Sequence, residues 1–361
     1  MGSSTSTSGA AAVPVARRAV VVGASGNVGT SVVAALTRSA GISHVTCAAR
    51  RPRRRRRPAG CRPTWAGMTW SGCSTVRTWS STSRGCSNPP TTRGPPGGPV
   101  LGSIRVFDAA ARAGVPALVC ASSVGAYSPG PKDHTVDESW PTHGWPGAAY
   151  TREKAYLERV LDAFELDHPD MRVVRLRPGF IFQRRAASQQ RRLFAGPLLP
   201  GSLVRPGMVP VVPDLPGLRF QVVHSEDVGE AYRLAAERNV HGAFNIAAEP
   251  VVDSQLLAEA LNARTVRVPA RGARAALAAA WHLHLVPTAP GLLDAVQHLP
   301  LMDTTRAREE LGWTPRHDSR AALDSLLRGL RTGVGGDTAA LAPATPAGRV
   351  REVLTGVGQR S

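Results

Sequence analysis

Apolar positions along the chain change period in a regular order. The continuous run Ala19-Val20-Val21-Val22 gives way to a glycine-rich stretch, Gly23 to Gly29, and then to apolar residues at Val28, Val32, Val33 and Leu36. A short continuous run reads as a buried strand and the three-four spacing as one face of a helix. The order is therefore strand over Arg18–Val22, glycine turn, helix over Val28–Arg38. The same reading predicts strands at His44–Ala49, Ala117–Ala121 and Met171–Arg175, with helices at Gly102–Ala113 and Ala149–Glu165. Alternation of this kind predicts an α/β fold, a doubly wound parallel sheet with helices on both faces. Residues 186–330 read as a smaller, mostly helical lobe over the open strand ends, where ligands of such sheets bind.

Two motifs carry chemistry. In Gly23-Ala24-Ser25-Gly26-Asn27-Val28-Gly29, Gly23 permits the tight turn, Gly26 lets the backbone approach a pyrophosphate, and Gly29 lets the helix pack on the strand. The helix N-terminus then presents free N–H groups to phosphates, so residues 23 and 25 to 29 are the candidate nucleotide cradle. In Tyr150-Thr151-Arg152-Glu153-Lys154, the four-residue spacing sets a phenol beside an ammonium on one helix face. A fixed positive charge stabilises phenolate, which makes the pair a proton-transfer device.

Between the motifs, Leu118 to Ala121 forms an apolar strand that ends in Ser122-Ser123-Val124-Gly125-Ala126-Tyr127. With these residues in place the chain resembles an extended short-chain dehydrogenase/reductase of the NAD-dependent epimerase/dehydratase family. The resemblance continues through Val174 to Ile181, Val222 to Val228 and Leu311 to Pro315, and covers about residues 17 to 330 with one gap. It implies a Rossmann-type NAD(P)-binding domain over 17–185 and a substrate-binding lobe over 186–333, from which a strand and helix around 219–247 return to the sheet. Flexible tails are expected at 1–16 and 334–361. By the position of Tyr127, it assigns the catalytic serine to Ser123 rather than Ser122, beside Tyr150 and Lys154, and it places Pro178 against the nicotinamide. The implied reaction is hydride transfer at a carbon bearing oxygen, by an epimerase, dehydratase or reductase. In it Tyr150 moves the hydroxyl proton, Lys154 holds the phenolate and bonds the nicotinamide ribose, and Ser123 donates to the substrate oxygen. NAD enzymes of this fold usually carry an acid after strand 2; here Ala48-Ala49-Arg50-Arg51 stands there, so Arg50 favours NADP over NAD. The family often forms homodimers through helices that include the tyrosine's.

The gap runs from Arg51 to Gly98. It holds ten arginines, no aspartate, glutamate or lysine, three of the five cysteines and three of the seven tryptophans, with no apolar periodicity. The third and fourth strands belong here, and a buried parallel strand is a near-continuous apolar run; the segment is expected to be irregular. Back-translated and read one frame over, the text after Ser74 can give DGADVVVHLAW, an apolar strand of the family's kind, and the present frame resumes its pattern at Val100. We read residues 51–99 as a frameshifted translation.

That reading changes the meaning of composition. The formal charge of +18 would suggest a nucleic-acid partner, but without the ten arginines it is +8, and no aromatic platform accompanies Arg53 to Arg57. The expected partner is a small molecule, a nucleotide sugar among the candidates, with neither nucleic acid nor membrane. Cys61, Cys73 and Cys86 lack the close pairs of a zinc site, and Cys47 and Cys120 on predicted strands point to a reduced, cytoplasmic chain. His282 and His284 read as helix surface. His224, Glu226 and Asp227 read as a helix cap rather than a metal site, and Arg184, Arg185, Arg191 and Arg192 as a solvated face or an anion contact. Two other functions compete: an NADP-binding regulator without chemistry, and an inactive product of a damaged gene. A peptide mass map of the protein from its native host, over fragments between Arg50 and Arg105, is expected to match the restored frame. Fragments matching the arginine-rich text would refute the frameshift.

Overall fold

The computed structural model describes residues 17–49, 73–77, 98–195, 205–338 and 340–343. Among the described residues, six parallel strands form the main sheet: β1 (Arg17–Val22), β2 (Ile42–Ala48), β3 (Cys73–Arg77), β4 (Ala117–Ala121), β5 (Arg172–Pro178) and, last in the chain, β8 (Gly242–Ile246). Their spatial order is β8-β5-β4-β3-β1-β2. The chain steps outward from β1 to β2 and then crosses back to β3, so the order reverses beside β1. That reversal opens the crevice in which such sheets bind ligands. Helices α1 (Asn27–Thr37), α2 (Gly98–Arg112), α3 (Ala149–Asp167) and α4 (Ser225–Glu237) are the crossovers that parallel strands require.

One expectation about the anomalous segment fails. Cys73–Arg77 is a strand, paired with β1 from Arg18↔Cys73 to Val22↔Arg77 and with β4 at Thr75↔Leu118 and Val76↔Val119. Ladder hydrogen bonds come from the backbone of any residue but proline, so a five-residue polar text can bridge two apolar strands that flank it. Gly98 and Pro99 likewise open α2. Among the described residues β2 is the outer strand on its side. Cys47 also differs from the reduced-chain expectation: it is disulfide-bonded, half-buried on that edge strand, whereas Cys120 on β4 is a buried free thiol.

Apolar residues of β1, α1, β5 and α4 meet in one core cluster. Val21, Val32, Leu36, Val174, Leu176, Val228 and Trp313 are fully buried there. Close helix packing depends on small residues: a Cβ on Gly229 of α4 would stand 2.7 Å from the Ser31 carbonyl oxygen of α1. The second lobe adds β9 (Ala248–Val252), which pairs through β7 (Phe220–His224) with β6 (Phe180–Phe182) of the preceding domain in the order β9-β7-β6. It also adds α5 (Ser254–Leu261), α6 (Ala270–His282), α7 (Pro290–His298) and α8 (Ser319–Thr332). The described residues beyond α8, 334–338 and 340–343, make defined contacts. Leu341 is 2% exposed, Thr338 donates to the Ser25 carbonyl at 2.7 Å, and Arg192 donates to the carbonyls of Ala340 and Ala342. No helix among the described residues is long and apolar enough to cross a membrane.

Gly29 offers a test of the turn. A Cβ there would lie 2.1 Å from the Gly23 carbonyl oxygen, closer than any real contact. Gly29→Ala should destabilise the fold by about 1–3 kcal/mol, the usual cost of overpacking, read by chemical unfolding; a variant as stable as wild type would contradict this apposition.

Candidate active site

Ser123, Tyr150 and Lys154 come together at the C-terminal edge of the sheet. Ser123 follows β4 in extended conformation (φ −170°) and caps a short 3-10 turn, its Oγ accepting the Gly125 N–H at 3.0 Å. Tyr150 occupies the first turn of α3, and Thr151 fixes that start by donating to the Trp145 and Ala148 carbonyls. Gly125 lies between the two side chains: a Cβ on it would meet Tyr150 Cε1 at 3.0 Å and Ser123 Oγ at 3.4 Å. A Cβ there would require the phenol ring to give by a few tenths of an ångström. One helical turn on, Lys154 is 4% exposed, donates to the Ala121 carbonyl at 2.8 Å, and places Nζ 5.8 Å from the Tyr150 ring centre.

The adjacent serine faces elsewhere. Ser122 Oγ donates to Glu158, a residue 1% exposed on α3. Both Glu158 oxygens are shared with arginines of β5: Oε1 takes Arg177 Nε at 3.0 Å, and Oε2 takes Arg177 Nη2 and Arg175 Nη1, each at 3.0 Å. Arg175 further pairs with Asp162 at 2.6 Å and Glu165 at 2.9 Å. Burial alone would raise the Glu158 pKa, but the hydrogen bonds and charge of Arg177, with Ser122 and Arg175, outweigh it and hold the carboxyl at about 2. Tyr127 completes the cluster, donating to Asn245 at 2.7 Å and accepting from Arg177 at 3.0 Å. Burial pushes its phenol up to about 12, which removes it as a proton acceptor near neutrality.

The glycine turn suits a diphosphate. Gly23 has φ +88°, and its N–H donates to the Ala48 carbonyl at 2.8 Å. Gly26 is the α1 N-cap and brings no capping side chain, so a ligand can approach the first helical N–H groups. Other predicted contacts are engaged in other ways. Val28 lies in the core, and the Asn27 side chain is bonded to the Ile181 carbonyl and Gln183 Nε2, bracing the turn against the lobe. Ser25 offers its carbonyl to Thr338. Pro178 is buried at the end of β5, whose Leu176 carbonyl accepts the Ser122 N–H at 2.9 Å. Arg50, the argument for NADP, lies outside the described residues. Among the four lobe arginines, Arg184 and Arg185 are exposed, Arg191 is buried and Arg192 is bonded to backbone carbonyls. Glu158 and Gly125 were missed in the sequence. Glu158 stands four residues after Lys154, on the same helix face, and that spacing was the available signal.

Residues 99–247 match the profile of the NAD dependent epimerase/dehydratase family. That segment, under half of the chain, is similar to the family. Uncharacterized proteins of Mycobacterium tuberculosis and Mycobacterium bovis are 26% identical over 240 residues, 64% of this chain and 59% of theirs, so the match spans under two thirds of those relatives. Among solved structures, MoeE5 in complex with UDP-glucuronic acid and NAD superposes with a TM-score of 0.60 at 20% identity, covering 88% of this chain and 100% of that one. The UDP-glucose 4-epimerase of Thermus thermophilus, in complex with NAD, gives 0.58 at 18% identity with the same coverage. At these identities the likeness establishes the Rossmann-type fold.

Linkage gives the site a pH signature. A carboxyl whose pKa is lower in the folded than in the unfolded state contributes stability that is fully present above the unfolded value and is lost as pH falls toward the folded one. For Glu158 the window runs from its ordinary 4.5 down to about 2. Glu158→Gln leaves Arg177 buried without its counter-charge, so it should cost about 3–5 kcal/mol at neutral pH and flatten the stability profile across that acid window. Urea melts at neutral pH and down an acid series check both; an unchanged profile would contradict the role given to Glu158.

Proposed function

We propose that the protein is an NAD(P)-dependent epimerase, dehydratase or reductase acting at a hydroxyl- or carbonyl-bearing carbon of a nucleotide sugar. The observation that carries this reading is the Gly125 junction, where Tyr150 and Ser123 flank one point and Lys154 follows a turn later, at the same C-terminal edge of the parallel sheet that carries the glycine turn. Gly23, Ser25, Gly26, Asn27, Val28 and Gly29 would hold the dinucleotide through backbone groups, with Pro178 at the nicotinamide end. Bound there, the cofactor supplies a reversible acceptor for the hydride of the substrate carbon. Ser123 Oγ already accepts the Gly125 N–H, which leaves its own hydrogen to donate to the substrate oxygen. Tyr150 takes the hydroxyl proton in oxidation and returns it in reduction, and the Lys154 ammonium stabilises the phenolate between those events. UDP-sugars are the first substrates to try, because they and NAD accompany the similar folds. NADP stays the favoured cofactor only on the Arg50 argument.

A binding-only regulator has no need of the complete serine, tyrosine and lysine set. The inactive product of a frameshifted gene is supported by one observation: the family match starts at residue 99, one position before the frame reading resumes, although the glycine turn stands far upstream. The two readings separate in one experiment. Tyr150→Phe should lower turnover by about 10²- to 10⁴-fold, the range for loss of a general acid–base group, and leave NAD or NADP affinity unchanged by calorimetry. Full activity in that variant would sink the catalytic assignment, while a wild type that binds neither cofactor would support the damaged-gene reading.

A further inference from the structure

The structure supplies a ligand that the His224 region lacked in the sequence. β7 ends at His224, the N-cap of α4, and Glu226 follows in the first helical turn, exposed to solvent. His317 arrives from the loop before α8 and sets its ring 4.1 Å from that of His224, centre to centre. One donor atom from each of His224, Glu226 and His317 lies within 4.8 Å of the others. A helix cap needs one acceptor, and His224 Nδ1 provides it by accepting the Glu226 N–H at 3.4 Å, while Nε2 lies 3.4 Å from Ser325 Oγ, so metal ligation by His224 would replace one of these two long contacts; the second imidazole and the carboxylate have no part in capping.

Asp227 adds a feature typical of metal centres. It is 1% exposed, and its oxygens accept the backbone N–H groups of Arg316 and His317 at 3.0 Å each. Its Oδ2 also stands 3.0 Å from His317 Nδ1. As a fully engaged acceptor it places the imidazole hydrogen on Nδ1 and leaves the Nε2 lone pair outward, as carboxylates do behind metal-bound histidines. Two imidazoles and one carboxylate are a donor set that zinc favours, with a further position open to water.

We propose that His224, Glu226 and His317 form a divalent transition-metal site, with Zn²⁺ as the fitting ion and Asp227 as the carboxylate that orients His317. A four-coordinate ion holds its ligand atoms roughly 3.3 Å apart, and the exposed Glu226 side chain is free to rotate inward to close the spread. Bound metal ties α4 to the loop before α8, so its effect is to lock the lobe to the sheet domain. The site uses none of the residues assigned to proton transfer and stands or falls separately from the proposed reaction.

The test uses the full chain without a histidine tag, stripped with a chelator and dialysed. Zn²⁺ titration by calorimetry should give one saturable equivalent per chain, and Co²⁺ should give the visible bands of a tetrahedral centre. His317→Gln and Glu226→Gln should each weaken uptake by about tenfold or more and remove the Co²⁺ bands, while both apo variants keep the wild-type circular dichroism spectrum. No saturable uptake, or uptake equal in both variants and wild type, overturns the proposal; the second result would place the metal on other side chains, the cysteines included.

Discussion

The placement of the candidate site depends on one buried carboxylate. Glu158 on α3 is shared between Arg177 and Arg175 of β5 and the Ser122 hydroxyl at the end of β4, so one acidic group joins the helix to both strands. α3 carries Tyr150 and Lys154, and the residue after Ser122 is Ser123. A buried ion pair is seldom a net gain against an apolar replacement, and its value here is positional. Two arginines with fixed fork geometry hold the rotation of α3, and the bond to Ser122 turns that serine away and leaves Ser123 facing the tyrosine. Gly125 then allows ring and hydroxyl to close to a spacing that any larger residue would spread.

A second node links the glycine turn to the lobe. Gln183 donates to the Asn27 carbonyl at 2.8 Å, Ser225 donates to the same carbonyl at 3.1 Å, and Ser31 and Ser225 share a hydrogen bond at 2.9 Å. These contacts tie α1 to α4 and to the residue following β6. Thr338 joins the same turn from beyond α8 through Ser25. The glycine turn is therefore supported from three parts of the chain that are distant in sequence.

Much of the sheet domain was legible because its signals are local. An apolar run, a glycine turn and a three-four spacing need no knowledge of partners, and β1, α1, β4, α3 and β5 all stand within a few residues of the periodicity reading. The placement of Tyr150 and Lys154 one turn apart on a helix was legible for the same reason. What escaped depends on contacts across long separations. His317 reaches His224 from another element, Arg177 reaches Glu158 from a strand, and Thr338 reaches Ser25 from the far end of the chain. β3 escaped for the opposite reason: its side chains give no strand signal, and pairing of its backbone with two apolar neighbours sets its conformation. Cys47 was misread because spacing alone cannot identify a disulfide partner.

In the proposed function a dinucleotide on the glycine turn and a sugar hydroxyl at the Gly125 junction share one crevice. A crystal structure with NAD and a UDP-hexose tests it most directly. The account requires the diphosphate of NAD on the Gly23–Gly29 turn at the α1 N-terminus, and one sugar oxygen within hydrogen-bond reach of both Ser123 Oγ and the Tyr150 phenol. A nucleotide bound elsewhere, or a sugar oxygen out of reach of that pair, would contradict it.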